Sequence, residues 1–98
     1  MATIPELKAG LNRYVLEGIP TGHFLHAVLS GDLYEAVARA DSESGRNLVE
    51  ITKFIYNHMP MASFGNAVKV EKWLYSKEAE TMRKDQRETI EKLFEKGE

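Results

Sequence analysis

The sequence predicts an all-α fold: a compact domain of about five helices that ends in a long, charged C-terminal helix. Three observations carry this. Apolar residues recur at spacings of three and four along most of the chain, and no stretch alternates with period two as a half-buried strand does. The periodic segments are bounded by N-cap residues, glycines and prolines where helices start and stop. From about residue 77 the composition turns to Lys, Arg, Glu and Asp, with opposite charges four residues apart.

Pro5 suits the first turn of a helix, where its missing N–H costs nothing. Leu7, Leu11, Tyr14 and Val15 follow at helical spacing, and Gly18 with Pro20 stops the segment, which predicts helix over about 5–17. Thr21 is the expected N-cap of a short second helix carrying Phe24, Leu25, Val28 and Leu29 and ending near residue 30. Asp32 opens a third, with Glu35 three residues on as in a capping box, and an apolar stripe of Leu33, Val37 and Ala40. Residues 41–45 read as a polar loop. The fourth helix runs from about Arg46 to His58, with Leu48, Ile51, Phe54 and Ile55 toward the core and Pro60 just past its end.

Met61 to Gly65 is a loop around an apolar Phe64, and Asn66 caps a fifth helix bearing Val70, Trp73 and Leu74. The remainder reads as that helix continued. Its stripe of Ala79, Met82, Ile90, Leu93 and Phe94 is too sparse for a regular coiled coil, and its acid-first pairs Glu80–Lys84 and Glu88–Lys92 belong on a solvated face. The expected organisation is a helical core domain, 1–76, and a charged helical extension, 77–98, that packs on a neighbouring subunit or frays.

At 98 residues the chain fits one domain. A domain of this size buries only about 60–65% of the surface of its unfolded chain, so an oligomer interface would help it. The formal net charge of −2 argues against DNA or RNA as partner, while leaving room for a small anion held by two or three local cations. There is no cysteine, hence no disulfide, thiolate nucleophile or cysteine-type zinc site. No run of 18 apolar residues spans a membrane, and the N-terminus has no signal-peptide pattern. A cytoplasmic location is the simplest expectation.

Little suggests catalysis. The serines lack a Gly-x-Ser-x-Gly setting, and neither a Walker loop nor GxGxxG occurs. His23 and His26 share a helix face, but a metal site needs a third ligand, and exposed helix histidines are the plainer reading. The expectation is no enzyme, no cofactor and no metal. More informative is Gly18-Ile19-Pro20-Thr21-Gly22-His23-Phe24. A helix start there offers free N–H groups to an anion, and Gly22 admits close approach; the plain alternative is an interhelical turn. Phe64-Gly65 before the fifth helix can close a pocket or stack on a base, or pack back as a hydrophobic staple. Arg13 and Arg39 suit bidentate phosphate binding, or salt bridges to Glu17, Glu35 or Asp41. Tyr14, Tyr34, Tyr56 and Asn57 can supply stacking and edge hydrogen bonds, or serve as core residues.

Residues 13–74 resemble a widespread group of small bacteriophage and prophage proteins. The likeness rests on Gly-Ile-Pro-x-Gly-x-Phe-Leu at 18–25, Ala-Val-Leu at 27–29, Asp-Leu at 32–33, Glu-Ala at 35–36 and Arg-Ala-Asp at 39–41. It continues through Tyr-Asn at 56–57, Pro60, Phe-Gly at 64–65, where the group often carries tryptophan, and Trp-Leu at 73–74. The group is in turn similar to viral sponge proteins that sequester the cyclic dinucleotides of bacterial CBASS immunity. The resemblance implies a homo-oligomer, a tetramer among its forms, that holds a cyclic dinucleotide such as 3′3′-cGAMP at a subunit interface without cleaving it. Phe24, Phe64 or Tyr56 would stack the bases. Arg13, Arg39 and Thr21-Gly22-His23 would meet the phosphates, with Tyr14, Asn57 and Gly65 nearby. The competing expectation is a small protein–protein interaction module acting on a host or phage protein.

Overall fold

A computed structural model describes residues 3–40 and 45–95 of the chain. The expected all-α class holds, with seven α-helices rather than five among the described residues. Helix α1 (Ile4–Glu17) starts where the Thr3 side chain accepts from the Glu6 N–H and ends at Gly18, whose left-handed φ of 68° lets its N–H bond back to Tyr14. Its stripe of Leu7, Leu11, Tyr14, Val15 and Leu16 is buried. Helices α2 (His23–Leu29) and α3 (Leu33–Arg39) form a tight pair, the second capped by the Asp32 carboxylate on the Glu35 N–H at 3.1 Å. Helix α4 (Leu48–His58) stops two residues before Pro60, and a 3₁₀ turn, Met61–Ser63, follows. Asn66 caps α5 (Ala67–Tyr75) at the Lys69 N–H, 2.9 Å away.

The chain after Tyr75 departs from the single long helix the sequence predicts. It forms two further helices, α6 (Lys77–Asp85) and α7 (Arg87–Glu95). The break at Ser76 is local: its backbone is extended (φ −84°, ψ 149°) and its hydroxyl accepts from the Ala79 N–H at 3.1 Å, so the residue ends one helix and caps the next. A second break falls at Gln86. These turns fold the segment back on the core, where Ala79, Arg83 and Ile90 are buried and Phe94 meets Phe54 edge to face at 4.8 Å. The thin stripe therefore has its partner in the same chain.

Three further expectations change. Thr21 does not cap α2; Gly22 takes the N-cap position, and the Thr21 hydroxyl donates to the Gly22 carbonyl instead. Leu33 and Val37 are exposed, because α3 turns Ala36 to the core, where a short side chain permits close approach to α2. Glu35 does not reach back to complete a capping box; it pairs with Arg39 at 2.6 Å. The predicted polar loop at 41–45 lies outside the described residues apart from Gly45, which is already helical.

The core centres on Trp73, Tyr14, Leu11, Leu29, Ile51, Val15 and Val70. Burying each large apolar side chain stabilises by about 1.5–3 kcal/mol. Polar threads tie the layers together. The Trp73 indole N–H donates to the Tyr14 carbonyl at 3.2 Å, and the Tyr14 hydroxyl donates to the Ser63 carbonyl at 2.6 Å. Burial pushes the Tyr14 phenol well above its ordinary pKa, an effect that nearby Arg83 opposes in part. Arg83 itself donates to the Trp73 carbonyl at the end of α5 and lies over the indole ring, 5.8 Å from its centroid. Its guanidinium fills the space beside Gly18, where a Cβ would sit 2.7 Å from Cζ.

Candidate functional site

The residues singled out before the fold was known divide into two sets. Arg13 on α1, Thr21, Gly22, His23 and Phe24 at the start of α2, and Arg39 at the end of α3 line one groove of about 360 Å³. The sequence order explains this: α1 ends at Gly18, and after the turn through Pro20 Leu25 of α2 comes against Gly10 of α1, where an added Cβ would lie 3.4 Å from the leucine Cδ1. Glu6, Leu7, Gly10, Pro20 and Leu25 complete the lining. Glu6, Gly10 and Arg13 went unmarked as a set, although their spacing of four and three places them on one face of α1.

Arg13 and His23 are exposed and line this groove, whereas Phe24 is buried in the core with 9% of its surface exposed, too little to stack on a base. At Gly22 an added Cβ would meet nothing within 4 Å, so the backbone faces open space. Arg39 is half-exposed and held by Glu35. Such an exposed pair contributes about 0–1 kcal/mol, little enough for a stronger anion to compete with it. The Glu6 carboxylate works against an anion in the same groove. The α2 N-terminus adds less than the sequence promised, because a helix of seven residues gathers only a small dipole. Two arginines are thus the main attraction for a phosphate-bearing ligand.

The other candidates lie outside this groove. Tyr14 is buried, with its hydroxyl committed to Ser63. Tyr56 is exposed and meets Phe64 ring to ring at 6.4 Å. The Gly65 N–H donates to the Leu29 carbonyl at 2.8 Å, clasping the loop to the end of α2. That clasp needs glycine at position 31, where φ is 73° and a Cβ would stand 2.9 Å from the Gly65 oxygen. Asn57 lines a separate hollow with Lys8, Glu50, Lys53, Phe54 and His58.

A larger hollow, about 740 Å³, runs between α1 and α7 over Leu16, Phe54 and Phe94. Its arginine, Arg87, is engaged by Glu17 and Glu91, each at 2.9 Å. The hydrogen bond to Glu17, ahead of its charge and of Glu91, raises the Arg87 pKa. This hollow therefore offers an anion no uncommitted guanidinium. Among the described residues, no group of three His, Cys, Asp or Glu side chains is placed to hold a metal ion, and no helix is long and apolar enough to cross a membrane. Compared with protein-family models, with curated proteins and with solved structures, the chain matches none.

Proposed function

We propose that this chain captures a cyclic dinucleotide, such as 3′3′-cGAMP, in the groove between α1 and the α2–α3 pair without cleaving it. It would act as a phage-encoded sponge in the host cytoplasm that lowers the free CBASS signal. The observation that carries the reading is the convergence of Arg13, Arg39 and His23 with the open Gly22 backbone in one groove that the largely buried Phe24 also lines. Two guanidiniums suit two phosphates, since each forms charge-assisted bidentate contacts. The groove is at the small end of the roughly 300–1,000 Å³ range of ligand sites, so one copy encloses part of such a ligand and a homo-oligomer would enclose the rest. Effective capture needs tight binding; nanomolar affinity corresponds to about −12 kcal/mol.

Native mass spectrometry and isothermal titration calorimetry with 3′3′-cGAMP, cyclic di-GMP and their linear counterparts test this. The expected result is a mass increase in whole-ligand steps, with the cyclic ligand recovered intact after denaturation. A silent panel would leave the protein-interaction reading in its place, and recovery of linear products would make the chain an enzyme.

A further inference from the structure

We propose that two adjoining hollows beside α1, α4 and α7 form one site for a small amphiphilic anion, an apolar chain that carries a single anionic head. The hollows measure about 740 and 310 Å³, and Lys8 and Phe54 line both, which is where they meet. The larger falls within the roughly 300–1,000 Å³ of small-molecule sites. Its floor is the buried pair Leu16 and Phe54, and Ile4, Pro5, Ala9 and Phe94, all at least partly exposed, give it apolar walls. The smaller is polar and basic. Glu50, Lys53 and Asn57 line it from α4, at helical spacings of three and four that put them on one face, and Lys8 joins them from α1.

The two chemistries assign the two ends of the ligand. In the larger hollow an anion finds Arg87 already held by Glu17 and Glu91, each at 2.9 Å, and meets the exposed Glu95 as well. The apolar walls there suit hydrocarbon instead, which leaves water on entering. In the smaller hollow the two lysines outnumber the one carboxylate, Glu50, and Lys53 forms no salt bridge among the described residues. The Asn57 amide adds N–H donors. His58 is held in place, because the Leu93 carbonyl can only accept and so takes its Nδ1–H at 3.2 Å. Lys8 is half-buried with its ammonium 4.6 Å from the Phe54 ring centroid, the posture of a long basic side chain where apolar surface gives way to polar. A chain along α1 and α7 with its head beyond Lys8 satisfies both hollows at once. This site shares no residue with the Arg13–Arg39 groove, and its test uses no nucleotide, so each can fail alone.

Isothermal titration calorimetry of the full chain with octanoate, decanoate and dodecanoate, each below its micellar concentration, tests this. Affinity should rise with each methylene, by up to about fourfold. Decanol, which lacks the charge, should bind roughly tenfold more weakly than decanoate. Lys53→Glu should weaken dodecanoate binding by roughly tenfold or more. Ala9→Trp, which fills the larger hollow, should also weaken it. Both positions are exposed, so far-UV circular dichroism should not change. Arg13→Ala should leave dodecanoate binding as it is. No binding of dodecanoate, affinity independent of chain length, variants at 53 and 9 that bind like the parent, or a loss on Arg13→Ala in their place would each overturn the proposal. Vesicles of phosphatidylglycerol separate a free amphiphile from a membrane surface. The protein should stay in the supernatant, and cosedimentation that Ala9→Trp leaves unchanged would sink the enclosed site.

Discussion

Replacing Ile90 by alanine should destabilise the whole domain, although Ile90 lies in the charged segment whose composition suggests an extension that frays or packs on a neighbouring subunit. Ile90 is 2% exposed on α7 and belongs to the main core cluster. The substitution deletes three buried carbons. At about 0.8 kcal/mol per methylene the transfer loss alone is roughly 2.4 kcal/mol. The residual cavity adds to this, which places the total near 3 kcal/mol within the usual span of about 2–5. For a domain of this size each kcal/mol shifts Tm by about 4–8 °C, so the melting point should fall by roughly 12–24 °C. Thermal and urea unfolding followed at 222 nm would measure it, with Lys92→Ala on the exposed side of the same helix as control. The parent should unfold in one cooperative transition, because α6 and α7 share the core. A melting point within the few degrees typical of surface substitutions would refute the docking of α7, as would a parent that loses its C-terminal helices in a separate early transition.

Other tests bear on the polar threads and on the groove. Arg83→Leu should cost about 1–3 kcal/mol by leaving the Trp73 carbonyl unpaired, and Gly18→Ala should destabilise through its positive φ and its clash with the same guanidinium, both read from urea midpoints. Because the folded state raises the Tyr14 pKa above the ordinary 10.0, its contribution is fully present below pH 10 and is lost as pH rises beyond it. Tyr14→Phe should therefore remove part of the parent's alkaline loss of stability, measured as Tm between pH 8 and 11; an unchanged alkaline slope would contradict the buried, hydrogen-bonded phenol. In the groove, Arg13→Ala and Arg39→Ala should each weaken 3′3′-cGAMP binding by about 1.5–3 kcal/mol in calorimetry, Gly22→Leu should obstruct it, and Glu6→Gln should strengthen it. If none of the four moves the affinity while helicity is retained, the ligand binds elsewhere.

Sequence alone determined most of the local structure, because helix starts and stops are short-range events. Asp32 and Asn66 cap the helices they precede, Gly18 ends α1, Pro60 follows α4, and the buried set Leu7, Leu11, Tyr14, Val15, Ile51, Phe54, Val70 and Trp73 follows the 3.6-residue period. Part of the candidate groove was legible for the same reason: Arg13, the 21–24 turn and Arg39 belong to consecutive elements, and a short reversal through Pro20 brings them together. What only the tertiary structure decided concerns direction and partners. Nothing local tells α3 to bury Ala36 rather than Leu33 and Val37; close packing against α2 favours a short side chain on the flank that faces it. Tyr14 reads equally well as a ligand contact or a core residue until the Ser63 carbonyl, 49 positions away, takes its hydroxyl. The C-terminal segment, judged by its charge, belongs on the surface. Yet Arg83 is buried because its guanidinium finds the Trp73 carbonyl and indole face and the gap at Gly18, contacts that exist only once α6 has folded back across the end of α1.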